Sequence, residues 1–156
     1  MSAENLEFDL KLVYAEWLLG LVTSDDLPDI AIRAISSGIE SGSILRLASL
    51  AKTESMEAVK LFDRGLMELG YKAITKVDAL RIYATEVSRL ILEERLSPLE
   101  GARLIWRAKL NSGNDDFHEL DGFIYAASEM EERPNDKRLF EKAIFEESRR
   151  WAKHCG

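Results

Sequence analysis

The chain has 156 residues, about one domain's length, and carries 28 acidic against 21 basic side chains for a formal charge of −7. The whole excess lies in 113–132, which holds seven carboxylates (Asp115, Asp116, Glu119, Asp121, Glu129, Glu131 and Glu132) and no Lys or Arg, so the remainder is neutral. Nucleic-acid binding needs clustered Lys and Arg to displace counterions, and this composition speaks against it.

The three prolines and most of the nine glycines fall between periodic segments, which favours an all-α chain. From about Leu6 the apolar residues Leu6, Leu10, Val13, Trp17 and Leu21 follow helical steps, with Phe8, Leu12, Leu19 and Val22 on a second face. A short strand through Phe8, Leu10 and Leu12 is the competing reading. Ser24, Asp25 and Asp26 before Leu27-Pro28 supply acceptors for a helix start, and Gly38 stops that helix after Ser37. A short helix at 42–51 and a longer one at 53–69 follow, the latter ended by Gly70.

Thr75 and Asp78 form a capping-box pattern ahead of the stripe Val77, Leu80, Ala84, Val87 and Ile91. Ser97-Pro98-Leu99-Glu100 predicts a second box and a helix to about Leu110, before the breaker Asn111-Ser112-Gly113-Asn114. Leu120, Phe123, Ile124, Ala127 and Met130 predict a helix over 117–132, stopped by Pro134. Asn135 is then expected to cap a last helix with Phe140, Ala143, Ile144 and Trp151 on its apolar side. These elements make a single all-α domain, 1–156, of seven or eight helices with short loops. Pro28, Arg33 and Ile35 repeat the spacings of Pro98, Arg103 and Ile105, as a duplicated helical hairpin or shared capping chemistry would produce.

Hydrophobic residues at 46% and charged residues at 31% predict a soluble protein with a packed core. Cys155 is the only cysteine and reads as a solvent-facing tail thiol beside His154, not as a nucleophile. The N-terminus lacks a basic signal region, and the apolar run 13–22 is broken by Glu16 and too short for a bilayer. The expectation is a cytoplasmic protein that binds neither membrane nor nucleic acid.

On a helix at 117–132, His118, Asp121, Tyr125, Glu129 and Glu132 share one face opposite the apolar stripe. Carboxylates near its start suit the helix dipole, and the rest reads equally as a solvated surface. Glu129, Glu131 and Glu132 oppose the dipole in the last turn, however, with only Arg133 to offset them, and an unfavourable local choice points to function or to a neighbour in the fold. The functional reading is a negative docking surface for a basic protein partner, comprising Asp115, Asp116, His118, Glu119, Asp121, Tyr125, Glu129 and Glu132.

Two alternatives stand beside it. One is a metal-dependent enzyme built on His118 and Asp121, although no Glu-x-x-His, His-Glu-x-x-His or EF-hand pattern occurs. The other is a helical subunit of a homodimer. No nucleophile elbow, phosphate-binding loop or dinucleotide fingerprint is present. Glu93 and Glu94 read as a wet helix end, and Trp17, Trp106 and Trp151 as core. Neither a catalytic residue nor a cofactor is expected.

Two stretches carry a resemblance. Leu27-Pro28-Asp29-Ile30-Ala31 through Gly38-Ile39-Glu40-Ser41 to Leu47-Ala48, and Ser97-Pro98-Leu99-Glu100-Gly101-Ala102 through Trp106 to 120–129, resemble an uncharacterised family of small all-helical bacterial proteins. The resemblance implies an all-helical fold and carries no activity or catalytic residue. In size and charge the chain is also similar to immunity proteins, acidic helical inhibitors of basic nuclease toxins.

Overall fold

The structure is a computed structural model that describes residues 8–153, and these form α-helices, short 3₁₀ turns and loops with no strand. The helices are α1 (Leu10–Leu18), α2 (Leu27–Ser36), α3 (Gly42–Ala48), α4 (Ser55–Glu68), α5 (Lys76–Leu92), α6 (Pro98–Ser112), α7 (Asp121–Glu132) and α8 (Lys137–Lys153). No helix among the described residues is long and apolar enough to cross a membrane. Leu6, His154 and Cys155, singled out above, lie outside the described residues.

Local chemistry accounts for most helix ends. Before α1 the Asp9 carboxylate accepts from the N–H groups of Lys11 (3.0 Å) and Leu12 (3.3 Å), which fixes the helix and not the strand over Leu10 and Leu12. Ahead of α2, Ser24–Asp26 winds as a 3₁₀ turn, and it is Thr23 whose N–H donates to Asp26 Oδ2 at 2.9 Å. Thr75 and Asp78 exchange reciprocal bonds of 3.0 Å at the start of α5. Ser97 Oγ accepts from the Glu100 N–H at 3.1 Å, but among the described residues the Glu100 carboxylate returns no bond, so only half of that expected box forms.

Asn135 does not cap α8. It lies inside a 3₁₀ turn, Pro134–Asp136, that Pro134 opens with its fixed φ and that the Asp136 N–H closes onto the Arg133 carbonyl at 3.0 Å.

Four of the described helices end in one motif. After α1, α2, α4 and α5 a residue in the left-handed region is followed by an N–H that reaches back five residues, from Leu21 to Glu16 O, Ile39 to Ala34 O, Tyr71 to Leu66 O and Arg95 to Leu90 O. The left-handed residue is Gly20, Gly38, Gly70 and, after α5, Glu94 at φ 59°.

The described chain divides into two compact units, one of residues 8–17 and 21–74 and the other of 18–20 and 75–153. The first is built around Leu10, Val13, Leu27, Ala31, Ile44, Leu47, Leu61 and Phe62, with Trp17 edge-on to Phe62 at 5.9 Å. α4 approaches α3 closely at Gly65, where a Cβ would lie 2.6 Å from Ile44 Cδ1. The second packs α5, α6, α7 and α8 around Leu80, Val87, Ile91, Ile105, Phe123 and Ile144, all buried. α6 meets α5 at Gly101, where a Cβ would come within 2.6 Å of Ile91 Cγ1.

The Pro28 and Pro98 spacings fall out of step in this structure. Pro28 is the second residue of α2 and Pro98 the first of α6. The buried residues Ile30, Ala31 and Ala34 correspond to Gly101, Ala102 and Ile105, one position beyond the shared spacing.

Candidate functional site

The acidic stretch runs from a turn into α7. Its helix starts at Asp121 and not at Phe117, so Asp115, Asp116, His118 and Glu119 lie ahead of it. Phe117 and Leu120 are buried, as the apolar spacing requires, but turns satisfy it: Phe117 N–H bonds to Asn114 O at 3.2 Å and Asp121 N–H to His118 O at 3.1 Å. Steps of three recur in both turns and helices, and apolar periodicity does not separate them.

Within α7, Phe123, Ala126, Ala127 and Met130 are buried. By helical spacing Asp121, Tyr125, Glu129 and Glu132 follow one another along another face, with Tyr125 60% exposed. His118 Nδ1 lies 3.1 Å from Asp121 Oδ2 and keeps its place at the head of that row.

Neighbouring helices neutralise part of the stretch. Arg81 of α5 donates to Glu119 Oε2 at 2.8 Å, Arg103 of α6 to Glu131 Oε1 at 2.9 Å, and Lys109 Nζ lies 3.6 Å from Asp121 Oδ1. These pairs are largely exposed on the carboxylate side, so each contributes about 0–1 kcal/mol. Asp115, Asp116, Glu129 and Glu132 make no ion pair among the described residues. Glu131, off the row, is thus answered by the fold, whereas Glu129 and Glu132 remain unanswered at the C-terminal end of α7, where no base stands in the last turn.

Two concavities flank α7 within this unit. A cleft of about 520 Å³ is lined by Arg81, Thr85, His118, Glu119, Arg150 and Trp151. Its cations are already engaged, Arg81 by Glu119 and Arg150 by Glu147, so it offers no uncompensated charge to a ligand.

The second, a groove of about 420 Å³ between α7 and α8, is lined by Tyr125, Leu139, Ala143, Glu146 and Glu147 among others. Glu147 lies against Gly122 at the start of α7, where a Cβ would come 2.6 Å from its Cδ. Its Oε1 accepts from Arg150, while its Oε2 is buried with no hydrogen-bond partner among the described residues.

The first unit shows the satisfied version of this contact. There Glu68 of α4 meets the second residue of α3, and its carboxylate accepts from Ser43 N–H at 3.0 Å and Ser43 Oγ at 2.7 Å. Those bonds hold the Glu68 carboxyl below its ordinary pKa, the backbone N–H being the larger cause. Gly122 supplies no such hydroxyl to Glu147.

Sequence reasoning missed Arg81, Arg103 and Lys109 as partners of the acidic stretch, and Leu139, Glu146 and Glu147 as lining of the groove. Periodicity within one helix carries no signal for residues brought in from another. No group of three or more His, Cys, Asp or Glu among the described residues is placed to hold a metal ion. No family model, curated protein or solved structure matches the chain.

Proposed function

We propose that the chain is a non-enzymatic protein-binding module that docks a basic partner through the acidic surface of α7 and the turn before it, in the manner of an inhibitor or immunity-type protein. The observation that carries this reading is the pair Glu129 and Glu132. They sit in the last turn of α7, against the helix dipole, with no base in that turn and no ion partner among the described residues. Asp115 and Asp116, exposed and likewise unpaired, extend the negative surface. Tyr125 adds an exposed aromatic side chain to the same row, a residue type enriched where proteins meet. Such a surface speeds association with a positive partner and selects among partners more than it adds affinity.

The test is charge reversal with Glu129→Lys and Glu132→Lys. Partners captured by the wild-type chain should be lost by the double variant, and their affinity for the wild type should fall as salt rises. An unchanged partner set with unchanged salt dependence would refute the docking reading.

A further inference from the structure

The groove between α7 and α8 carries two features that solvation leaves unexplained. Tyr125 and Leu139, each 60% exposed, stand on its two walls. Glu147 Oε2 is buried in one wall without a donor, and an unsatisfied buried acceptor is rare in native proteins because the lost hydration is not replaced.

We propose that this groove seats one amphipathic, basic segment of the partner, a lysine or arginine side chain reaching Glu147 while apolar side chains cover Tyr125, Leu139 and Ala143. The inference rests on the docking reading above and adds where the partner sits and what chemistry it presents.

Charge selects the occupant. Glu146, exposed and without an ion partner among the described residues, lines the α8 wall, and Glu129 follows Tyr125 by one turn along α7. The cation among the lining residues is Arg150, whose side chain is 68% exposed while that of Glu147 is only 18% exposed. Arg150 can therefore share Glu147 Oε1 with an incoming cation or swing into solvent and leave that oxygen to it, whereas Glu147 stays in place. An acidic segment would face Glu146 and Glu147 together. A wholly apolar segment would leave the carboxylates of Glu146 and Glu147 desolvated with no added counter-charge.

The experiment titrates the full chain into labelled helical peptides at low salt: an amphipathic leucine-lysine peptide, its leucine-glutamate counterpart, and the leucine-lysine composition in scrambled order. Binding of the first alone is expected. Tyr125→Ser with Leu139→Ser should weaken it by roughly 30-fold, the scale of a lost interface anchor. Glu147→Gln, which keeps the side-chain shape, should weaken it about tenfold. Circular dichroism checks that each variant is folded, and exposed Glu146→Lys serves as the second charge variant if Glu147→Gln is not.

Failure of the leucine-lysine peptide to bind, equal binding of either control peptide, or indifference to the groove variants overturns the proposal. If Glu129→Lys with Glu132→Lys abolishes capture of the natural partner while the groove variants retain it, the groove is wrong and the acidic surface stands. If neither set has an effect, both readings fall.

Discussion

Glu94 ends α5 in a conformation that α2 and α4 leave to glycine. The three helices close with the same backbone bond, so the left-handed φ comes from the motif and the side chain at that position only tolerates it. A left-handed L-residue costs about 1–2 kcal/mol, and glycine returns roughly 0.5–1 kcal/mol of that through its looser unfolded chain. Glu94 is exposed and makes no ion pair among the described residues, so nothing else is lost on replacing it. Glu94→Gly should stabilise the protein by up to about 1 kcal/mol in urea denaturation. Gly38 and Gly70 were readable as helix ends because the residue type advertises the φ, whereas a glutamate there advertises nothing.

Glu68 belongs to the same scale. Its pKa is lowered in the fold, so its contribution is present at neutral pH and is lost as pH falls from its ordinary 4.5 through the lower folded value. Glu68→Gln should therefore be less stable than wild type at neutral pH and should show a shallower loss through that acid window when melting is followed against pH. Ser43 and Glu68 are 25 residues apart, and no pattern in the chain connects them.

At the scale of elements, caps decided the helices. Thr75 with Asp78 and Ser97 with Pro98 lie within a few residues of the N–H groups they serve, which is why α5 and α6 start where the sequence places them. α7 starts late because no side chain caps it: Leu120 precedes it at φ −101° and ψ 3°, outside the extended region of a capping residue.

Helix contacts set a second element-level prediction. An alanine at 101 gains helix propensity of about 1 kcal/mol over glycine, but its Cβ would press on Ile91 and Val87 across the α5–α6 contact. Ile91 is fully buried and has little room to yield, so overpacking of roughly 1–3 kcal/mol should dominate. Gly101→Ala is expected to lower the thermal midpoint. The dipole argument acts on α7 in the opposite direction: Glu132→Lys should add about 0.3–1 kcal/mol to that helix. The charge-reversed pair that loses the partner should thus keep or gain stability, a signature that a merely misfolded variant does not give.

Across the whole molecule the question is whether net charge or local charge governs association. Glu40→Lys with Asp63→Lys changes the −7 total by the same amount as the reversal at Glu129 and Glu132, but at exposed positions of the other unit. The control pair should leave partner affinity at physiological salt within about twofold of wild type, while the α7 pair removes binding, as measured by calorimetric titration over a salt series. Equal losses in both pairs would make the effect one of net charge and not of the α7 surface.

The sequence by itself determined that the chain is helical, where most helices begin and end, and that its excess charge lies in 113–132. Those properties rest on side chains acting within a turn or two of their own backbone. Only the tertiary structure decided which of those carboxylates remain unpaired. Arg81 and Arg103 reach Glu119 and Glu131 from 38 and 28 residues away, and no cation reaches Glu129 or Glu132 among the described residues. Ion pairing is settled by distance in space, so a stretch uniformly acidic in sequence becomes a surface with answered and unanswered charges once the helices pack.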